Sequence, residues 1–298
     1  MRFDARAREW VEHALGPGHT VVGTQRKRGG VASIVHRVRV VDRDDHEQSY
    51  MVRRVPFRDD VPNHDPAAEV LNESYALQRV GGGSIPELVT VDPSGDACGV
   101  AALISTWLPG RPDVAPGDPL PWSREIASAL DAVPDIPASD LKFGAFVPWF
   151  DPNGAAPEWT RIPETWTAVR ARLDAALPVG GAPRFIHRDF HPGNLLFHRR
   201  RCSGIVDWTQ ASVGPPEVDV SRAHVEIAML THHAVADEFL RHTECATTYD
   251  PLWDAVVACA LGPWSHEMLV FNDIGARLTL DGVRATLDAF VENAARHL

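Results

Sequence analysis

The chain has 298 residues, of which 44% are hydrophobic and 23% are charged, and this composition is typical of a globular protein. Forty acidic residues against 29 basic ones give a formal net charge of −11, which disfavours a general attraction to nucleic acid. No apolar run reaches the roughly 18 residues of a membrane-spanning helix, and the first residues lack the layout of a secretory signal. The four cysteines are scattered without a CxxC pair. We therefore expect a cytoplasmic protein without disulfides and without nucleic-acid or membrane partners.

A β-rich region with two helices is predicted for the first 108 residues. Apolar residues at helical spacing predict a helix over 5–15, and an Asp-Pro start followed by a triple-glycine stop predicts a longer one over 66–80. Strands are predicted at 19–23, 31–41, 48–55, 87–91 and 98–108. This order indicates a small sheet with one long inserted helix.

The stretch 109–121 is the best candidate for a linker, because it holds five prolines and two glycines in 13 residues. A later segment, 144–160, is rich in Pro, Gly and Trp and is predicted to be an ordered surface loop. Helices are predicted at 164–176, 217–230, 235–243, 252–270 and 283–297. We therefore expect an α+β protein with a small β-rich N-terminal lobe (1–108) and a larger helical C-terminal lobe (109–298).

The most informative stretch is 184–210, RFIHRDFHPGNLLFHRRRCSGIVDWTQ. His187, Asp189 and Asn194 form an H-x-D-x4-N motif within it. Two apolar runs around a basic turn then predict a short hairpin, and Asp207 follows directly. An isolated Asp-x4-Asn is usually a loop capping pair, but the added histidine, hairpin and second aspartate favour a catalytic site.

Phosphoryl transfer requires residues of these kinds, because the enzyme mainly positions the reactants and stabilises a highly charged transition state. Asp189 on a loop suits the role of accepting the proton of an attacking hydroxyl. Asn194 and Asp207 offer the hard oxygen ligands that Mg²⁺ prefers, and the hairpin between them would bring both to one spot. His191 stands four residues after His187, a zinc-binding spacing on a helix, but Pro192 follows at once and argues against that reading.

With this motif the chain resembles the kinase-like fold and, more closely, the aminoglycoside phosphotransferase family of small-molecule kinases. The resemblance implies that Asp189 is the catalytic base, that Asn194 and Asp207 bind Mg²⁺, and that His187 is structural. It also implies that Asp219 helps to hold the catalytic loop, although a plain acid at a helix N-terminus is the alternative.

A protein substrate is not expected. Protein kinases carry an activation loop that ends in Ala-Pro-Glu, whereas the nearest match here, Pro215-Pro216-Glu217, comes only eight residues after Asp207. The acceptor is therefore expected to be a small molecule with a hydroxyl group.

The resemblance also implies a nucleotide site in the N-terminal lobe, with ATP or GTP as phosphate donor. Gly29, Gly30 and Ser33 would let backbone amides approach the phosphates. The third strand usually offers a lysine to the phosphates, but this strand has none. Strand alternation places Met51 and Arg53 on one face and Arg54 on the other.

We choose Arg53 for the phosphates and Met51 for the adenine pocket, although arginine changes the geometry of a lysine site. Glu73 is expected to pair with Arg53, and Glu69, one turn earlier, is its rival. The family's hinge falls on residues 105–108, where backbone groups of Ser105 and Trp107 would hold adenine.

The leading hypothesis is Mg²⁺-dependent transfer of the γ-phosphate of ATP or GTP to a hydroxyl of a small molecule. An antibiotic is the favoured acceptor, and housekeeping phosphorylation of choline, homoserine or a sugar competes with it. Two sets of residues could bind an antibiotic. Four carboxylates would suit a cationic aminoglycoside (Glu217, Glu226, Asp237 and Glu238), and three tryptophans could form the wall of a substrate cleft (Trp149, Trp159 and Trp166).

A nucleotide-binding pseudokinase is the alternative of a different class. The missing strand lysine favours it, and the joint presence of Asp189, Asn194 and Asp207 argues against it.

Overall fold

A computed structural model describes residues 2–27, 33–60, 64–151 and 154–298. The chain divides into two compact units, the first formed by Met1–Gly110 with Ser203–Gln210 and the second by Arg111–Cys202 with Ala211–Leu298. In chain order the elements are α1 (Ala5–Leu15), β1 (Thr20–Arg26), β2 (Ile34–Val41), β3 (Glu47–Val55), α2 (Pro66–Val80), β4 (Leu88–Asp92), β5 (Ala101–Thr106), α3 (Pro119–Asp131), α4 (Pro163–Ala175), β6 (Arg184–Ile186), β7 (Leu195–His198), β8 (Arg201–Ile205), β9 (Ser212–Gly214), α5 (Glu217–Leu230), α6 (His233–Arg241), α7 (Leu252–Leu261) and α8 (Leu280–Ala295). Among the described residues, we find no helix with the length and hydropathy needed to cross a bilayer.

The first unit is built on a five-stranded antiparallel sheet with the strand order β1-β2-β3-β5-β4. Asp4 caps α1 by accepting a hydrogen bond from the backbone N–H of Ala7. The helix contributes Trp10 and Val11 to a core that includes Val38 and Val52 of the sheet. This packing leaves the other face of β3, with Arg53, to the remainder of the unit.

The long helix α2 is inserted between β3 and β4. Asp65 caps its first turn, Pro66 occupies the first turn where no N–H is needed, and the helix ends at Gly81. Segment 203–210 joins this unit, because Asn72 Nδ2 on α2 donates to the backbone oxygen of Thr209 at 2.8 Å. The first unit therefore includes a piece of chain that comes almost 100 residues after the sheet.

The second unit is mostly helical, and α5 lies at its centre. Twelve of the residues of α5 are buried, and the helix contacts α6, α7 and α8. A short antiparallel pair, β6 with β9, lies beside these helices, with Ile186 opposite Ser212. The end of β6 therefore places His187 and the loop that follows it next to the start of α5.

Two sequence-based predictions need correction. Helix α3 begins at Pro119, inside the stretch that we predicted to be a linker, because proline is well tolerated in the first turn of a helix. The predicted single helix 252–270 ends at Leu261, and 3₁₀ turns follow at 262–264 and 267–274. Pro263 lacks the N–H that a continuing α-helix would require.

Candidate active site

The loop that follows β6 is fixed by hydrogen bonds to Asp219 of α5. Its carboxylate accepts the backbone N–H of His187 at 2.8 Å and that of Arg188 at 2.6 Å. Arg188 has φ +68°, a left-handed conformation that is unfavourable for a side chain with a Cβ, so these two hydrogen bonds stabilise a strained turn. Burial raises the pKa of Asp219 to about 7, although the two N–H groups act in the opposite direction.

Asp189 comes next on this loop, and its side chain remains 24% exposed. Asn194 Nδ2 donates to the backbone oxygen of Asp189 at 3.0 Å and to Oδ2 at 3.3 Å, which closes the loop. Burial raises the pKa of Asp189, but Arg222 and His191 outweigh it and hold this pKa well below its usual range. Asp189 is therefore an ionised and accessible carboxylate at neutral pH. The same carboxylate and Glu226 raise the pKa of His191 against the effect of burial.

His187 is fully buried, and its ring makes an edge contact with Phe190 at 6.1 Å between centroids. The structure thus brings together His187, Asp189, Asn194 and Asp219 in the second unit.

Arg53 of β3 lies at the centre of the second group of predicted residues, in the first unit. Its Nε lies 3.1 Å from Glu73 and its Nη2 lies 3.0 Å from Asp207, while only 7% of the residue is exposed. Burial lowers the pKa of Arg53, but Asp207 and Glu73 raise it more, so the guanidinium stays charged. For Glu73, burial has the larger effect and raises the pKa to about 7, although the charge of Arg53 acts in the opposite direction.

The two alternative residues, Arg54 and Glu69, have other partners. Arg54 is fully buried on the opposite face of β3, where it donates to the backbone oxygen of Arg2 and lies 3.5 Å from Asp4. Glu69 lies 3.2 Å from His64. The structure therefore brings Glu73, and not Glu69, to Arg53.

Asp207 follows β8 with φ +69°, so its backbone also adopts the left-handed conformation. Its Oδ1 accepts a hydrogen bond from Thr209 Oγ1 at 2.9 Å in addition to the contact with Arg53. The contact of Arg53 with Asp207 was not predicted, because no local pattern links two residues that lie so far apart in sequence.

The predicted adenine-binding residues lie on adjacent strands. Met51 of β3 is directly opposite Ser105 of β5, and Ser105 is fully buried. The N–H of Trp107 donates to the backbone oxygen of Ser49 at 3.3 Å, so this part of the hinge already uses one of its backbone groups. Ser33 is half-buried just before β2, whereas Gly29 and Gly30 lie outside the described residues.

Sequence reasoning missed two cations beside Trp107. Lys27 Nζ lies 4.8 Å from the centre of the indole ring, and the Arg37 guanidinium lies 5.3 Å from it. Burial, with Arg37 as a second cause, lowers the pKa of Lys27. Its position at the end of β1 was the signal that could have drawn attention to it.

Of the three tryptophans suggested as a cleft wall, only Trp149 is strongly exposed. Its ring lies 4.6 Å from the guanidinium of Arg188, which also donates to the backbone oxygen of Val147 at 2.7 Å. Trp159 donates its indole N–H to a backbone oxygen, and Trp166 is fully buried and donates to a carboxylate. The suggestion is therefore wrong for Trp166, which is part of the core.

The four carboxylates suggested for a cationic acceptor have internal partners. Glu217 accepts the N–H of Gly181, and Glu226 is fully buried beside Arg222. Glu238 pairs with Arg124 and Arg241, and Asp237 lies 3.7 Å from His224. Sequence could not show this engagement, because it arises from packing between helices.

Comparison with solved structures gives a consistent fold. A thermostable mutant of the aminoglycoside phosphotransferase APH(4)-Ia, in ternary complex with AMP-PNP and hygromycin B, matches with a TM-score of 0.59 at 14% identity and covers 98% of both chains. A choline/ethanolamine kinase family protein from Mesorhizobium loti matches with a TM-score of 0.58 at 17% identity, over 97% of this chain and 93% of that one. A candidate fructosamine-3-kinase from Thermobifida fusca matches with a TM-score of 0.53 at 19% identity over the whole of both chains. At these identities the likeness establishes the fold, and it confirms the predicted kinase-like class.

Sequence comparison identifies the family. No curated protein matches the chain significantly. The sequence model of the phosphotransferase enzyme family, in contrast, matches residues 35–256, well over half of the chain and including both groups of site residues. The chain therefore belongs to the phosphotransferase enzyme family, and it is a phosphotransferase with a kinase-like fold.

Proposed function

We propose that this enzyme transfers the γ-phosphate of ATP or GTP to a hydroxyl group of a small molecule, with Asp189 as the base. The observation that carries the proposal is the state of Asp189, an ionised carboxylate that is accessible on a loop fixed by Asp219 and Asn194. A carboxylate in this state accepts a hydrogen bond from the acceptor hydroxyl and takes its proton as the oxygen attacks phosphorus.

In the first unit, Arg53 is proposed to bind the phosphates of the donor. Glu73 supports this role because it orients the guanidinium from one side, at 3.1 Å from Nε. The remaining N–H groups of a guanidinium suit phosphate oxygens, which accept charge-assisted hydrogen bonds. Met51, Ser105 and Trp107 are proposed to surround the adenine or guanine base, and Gly29, Gly30 and Ser33 to approach the phosphates.

Mg²⁺ is the metal that this chemistry requires. The donor set fits it, because Asn194 offers an amide oxygen while its Nδ2 is turned to Asp189, and Asp207 offers a carboxylate. Bound Mg²⁺ would neutralise the negative charge of the phosphates. We propose each of these two side chains as a ligand, and His187 as a structural support of the catalytic loop.

Two acceptor classes remain in competition. An antibiotic acceptor is supported by the neighbour crystallised with hygromycin B, and a metabolite acceptor by the neighbour of the choline/ethanolamine kinase family. Glu217, Glu226 and Glu238 are buried and engaged, which weakens one argument for a polycationic antibiotic, whereas exposed Trp149 beside Arg188 suits a flat or partly apolar acceptor.

The test is release of ADP or GDP by the purified protein with Mg²⁺ and a panel of acceptors, with Asp189→Asn as the inactive control. The panel contains aminoglycosides, macrolides and nucleoside antibiotics together with choline, homoserine and sugars. Expression in a sensitive bacterium is scored in parallel. Resistance that disappears in Asp189→Asn supports an antibiotic acceptor, and turnover of a metabolite without any resistance contradicts it. No turnover with any acceptor would contradict the proposed function as a whole.

A further inference from the structure

Four titratable side chains of the second unit form a closed ring of contacts, namely Asp189, His191, Arg222 and Glu226. Arg222 Nη2 lies 3.2 Å from Asp189 Oδ1 and 2.8 Å from Glu226 Oε1. On the other side, His191 Nε2 lies 3.6 Å from Asp189 Oδ2, and His191 Nδ1 lies 3.2 Å from Glu226 Oε2. Each oxygen of the two carboxylates therefore faces a nitrogen of Arg222 or His191.

Glu226 is the buried side of this ring. Its side chain has no exposed surface, whereas that of Asp189 is 24% exposed. An acid so deep in the protein cannot touch a substrate, and an unpaired buried carboxylate would cost several kcal/mol. Its place is explained by its two partners, because it holds Arg222 and His191 where both can reach Asp189.

His191 and Arg222 also contact aromatic side chains, and His191 contacts the backbone of the loop. The ring of His191 makes an edge contact with Phe271 at 5.5 Å, and the guanidinium of Arg222 lies 5.8 Å from the ring of Trp149. The N–H of Gly193 lies 3.1 Å from His191 Nδ1. A neutral imidazole accepts this N–H, and a protonated one donates Nδ1–H to Glu226 instead, so either form keeps the ring of His191 in place.

Fixing both oxygens matters for a catalytic aspartate. The last torsion of an aspartate is broad and nearly two-fold, so a carboxylate held by one partner only can still turn. A base must keep a lone pair within hydrogen-bond reach of the proton that it removes, and a small misplacement of reacting groups lowers the rate strongly.

We infer that Glu226 is a positioning residue of this enzyme, which acts through Arg222 and His191 to fix the orientation of the Asp189 carboxylate. The inference rests on the proposed role of Asp189 as the base. A purely structural role, in which the ring only ties the loop to α5, is the alternative that the experiment must separate.

The decisive variant is Glu226→Gln, which keeps the shape of the side chain and removes its charge. We expect kcat to fall about 10- to 100-fold, while the KM values for nucleotide and acceptor stay within about twofold. The matched control is Glu238→Gln on α6, a buried acid that also bridges two arginines, Arg124 and Arg241. This control is expected to lose stability and to keep kcat.

A second variant and a second readout keep the inference testable. If Glu226→Gln does not fold, Arg222→Lys retains the positive charge but replaces the planar guanidinium, whose Nη2 contacts both carboxylates, by a compact ammonium on a shorter side chain, and we expect the same loss of kcat. Crystal structures of wild type and variant report directly on the orientation of the Asp189 carboxylate. Wild-type kcat in a folded variant would overturn the inference. So would a variant that is less stable and has a lower kcat and a raised KM while the Asp189 carboxylate keeps its wild-type orientation.

These readouts also distinguish the failure of this inference from that of the proposed function. If the wild-type protein turns over no nucleotide with any acceptor of the panel, the proposed function fails. The orientation of Asp189 in the crystal structures then decides alone whether Glu226 positions it.

Discussion

Replacing Arg53 by alanine tests two contributions of one side chain, to stability and to nucleotide binding. Arg53 is 7% exposed and lies about 3 Å from both Glu73 and Asp207. Removing one partner of a buried ion pair typically costs about 3–5 kcal/mol, because the other charge stays buried without compensation. We expect Arg53→Ala to lower the free energy of unfolding by about this amount at pH 8. The loss should be smaller at pH 6, because Glu73, whose pKa is already about 7, can take up a proton.

The effect on nucleotide binding follows from the phosphate contacts proposed for Arg53. A hydrogen bond to a charged group contributes about 1.5–3 kcal/mol, so its loss should raise the KM for ATP or GTP roughly 10- to 100-fold. Arg53→Lys keeps the charge and is expected to retain most of the affinity.

The neighbouring residue supplies the matched control. Arg54 is also an arginine of β3 and is fully buried, but it contacts Arg2 and Asp4 on the opposite face. Arg54→Ala should therefore lower stability and leave the nucleotide KM within about twofold. Urea unfolding and steady-state kinetics on the same preparations give both quantities. An equal rise of KM in both variants, or an unchanged KM in Arg53→Ala, would refute the phosphate role of Arg53.

Two further variants test the catalytic carboxylates. Asp189→Asn should bind nucleotide almost as the wild type does, with kcat about 10²–10⁴-fold lower, since this is the usual contribution of a general base; a wild-type kcat would exclude Asp189 as the base. Asp207→Ala should abolish turnover, and Asn194→Ala should be milder and partly rescued by high Mg²⁺, because an amide oxygen is a weaker ligand than a carboxylate. Mg²⁺ titrations that are unchanged in both variants would contradict the metal assignment.

Elements with local start and stop signals could be predicted from the sequence. Helix α2 spans Pro66–Val80 as expected, because the capping aspartate, the proline and the terminal glycine all act within a few residues. Helix α3 also starts at an aspartate-proline pair, Asp118 and Pro119, but Asp118 makes no side-chain capping hydrogen bond and no glycine ends the helix, so its prolines also fit a linker. Packing against α5 and α6 stabilises this helix.

The candidate site was predictable where its logic is local. The H-x-D-x4-N spacing identifies Asp189 and Asn194. Strand alternation places Arg53 and Arg54 on opposite faces of β3, and the choice of Arg53 rests on its position in the strand. Contacts between distant segments were not predictable, which is why the pairing of Arg53 with Asp207 was missed. Arg222 and Glu226 stand four residues apart on α5, a spacing that predicts an ion pair, but only the packing of α5 beneath the loop directs this pair at Asp189.

The acidic residues of the second unit also show that contacts between distant segments cannot be read from the sequence. Sequence counts an excess of acidic residues but does not reveal which of them are already paired. Glu217 and Glu238 belong to a helix N-terminus and to an arginine pair, so neither is available as a surface charge. Net charge is therefore a weak guide to the acceptor. Exposed side chains near the catalytic loop, such as Trp149 beside Arg188, are a better guide.

A buried ion cluster in the second unit predicts a loss of stability in mildly alkaline solution. His224 of α5 is 5% exposed, its Nδ1 lies 3.0 Å from Asp254, and its Nε2 lies 3.7 Å from Asp237. Burial lowers the pKa of His224, but Asp254 and Asp237 raise it more, to about 9 against 6.5 for an ordinary histidine. Because the folded value is the higher one, the protonated ring stabilises the fold. The contribution is complete below about pH 6.5 and is lost as the pH rises to about 9.

The difference between these two pKa values corresponds to about 3 kcal/mol of stability at low pH. Urea unfolding of wild type and His224→Gln at pH 6.5 and at pH 9.5 isolates it, since other titrating groups affect both proteins alike. We expect the free energy of unfolding to fall about 3 kcal/mol further in the wild type than in His224→Gln. His297→Gln, which replaces an exposed histidine near the end of the chain, should behave as the wild type does. The same pH dependence in wild type and His224→Gln would mean that the cluster of His224 with Asp254 and Asp237 does not stabilise the fold.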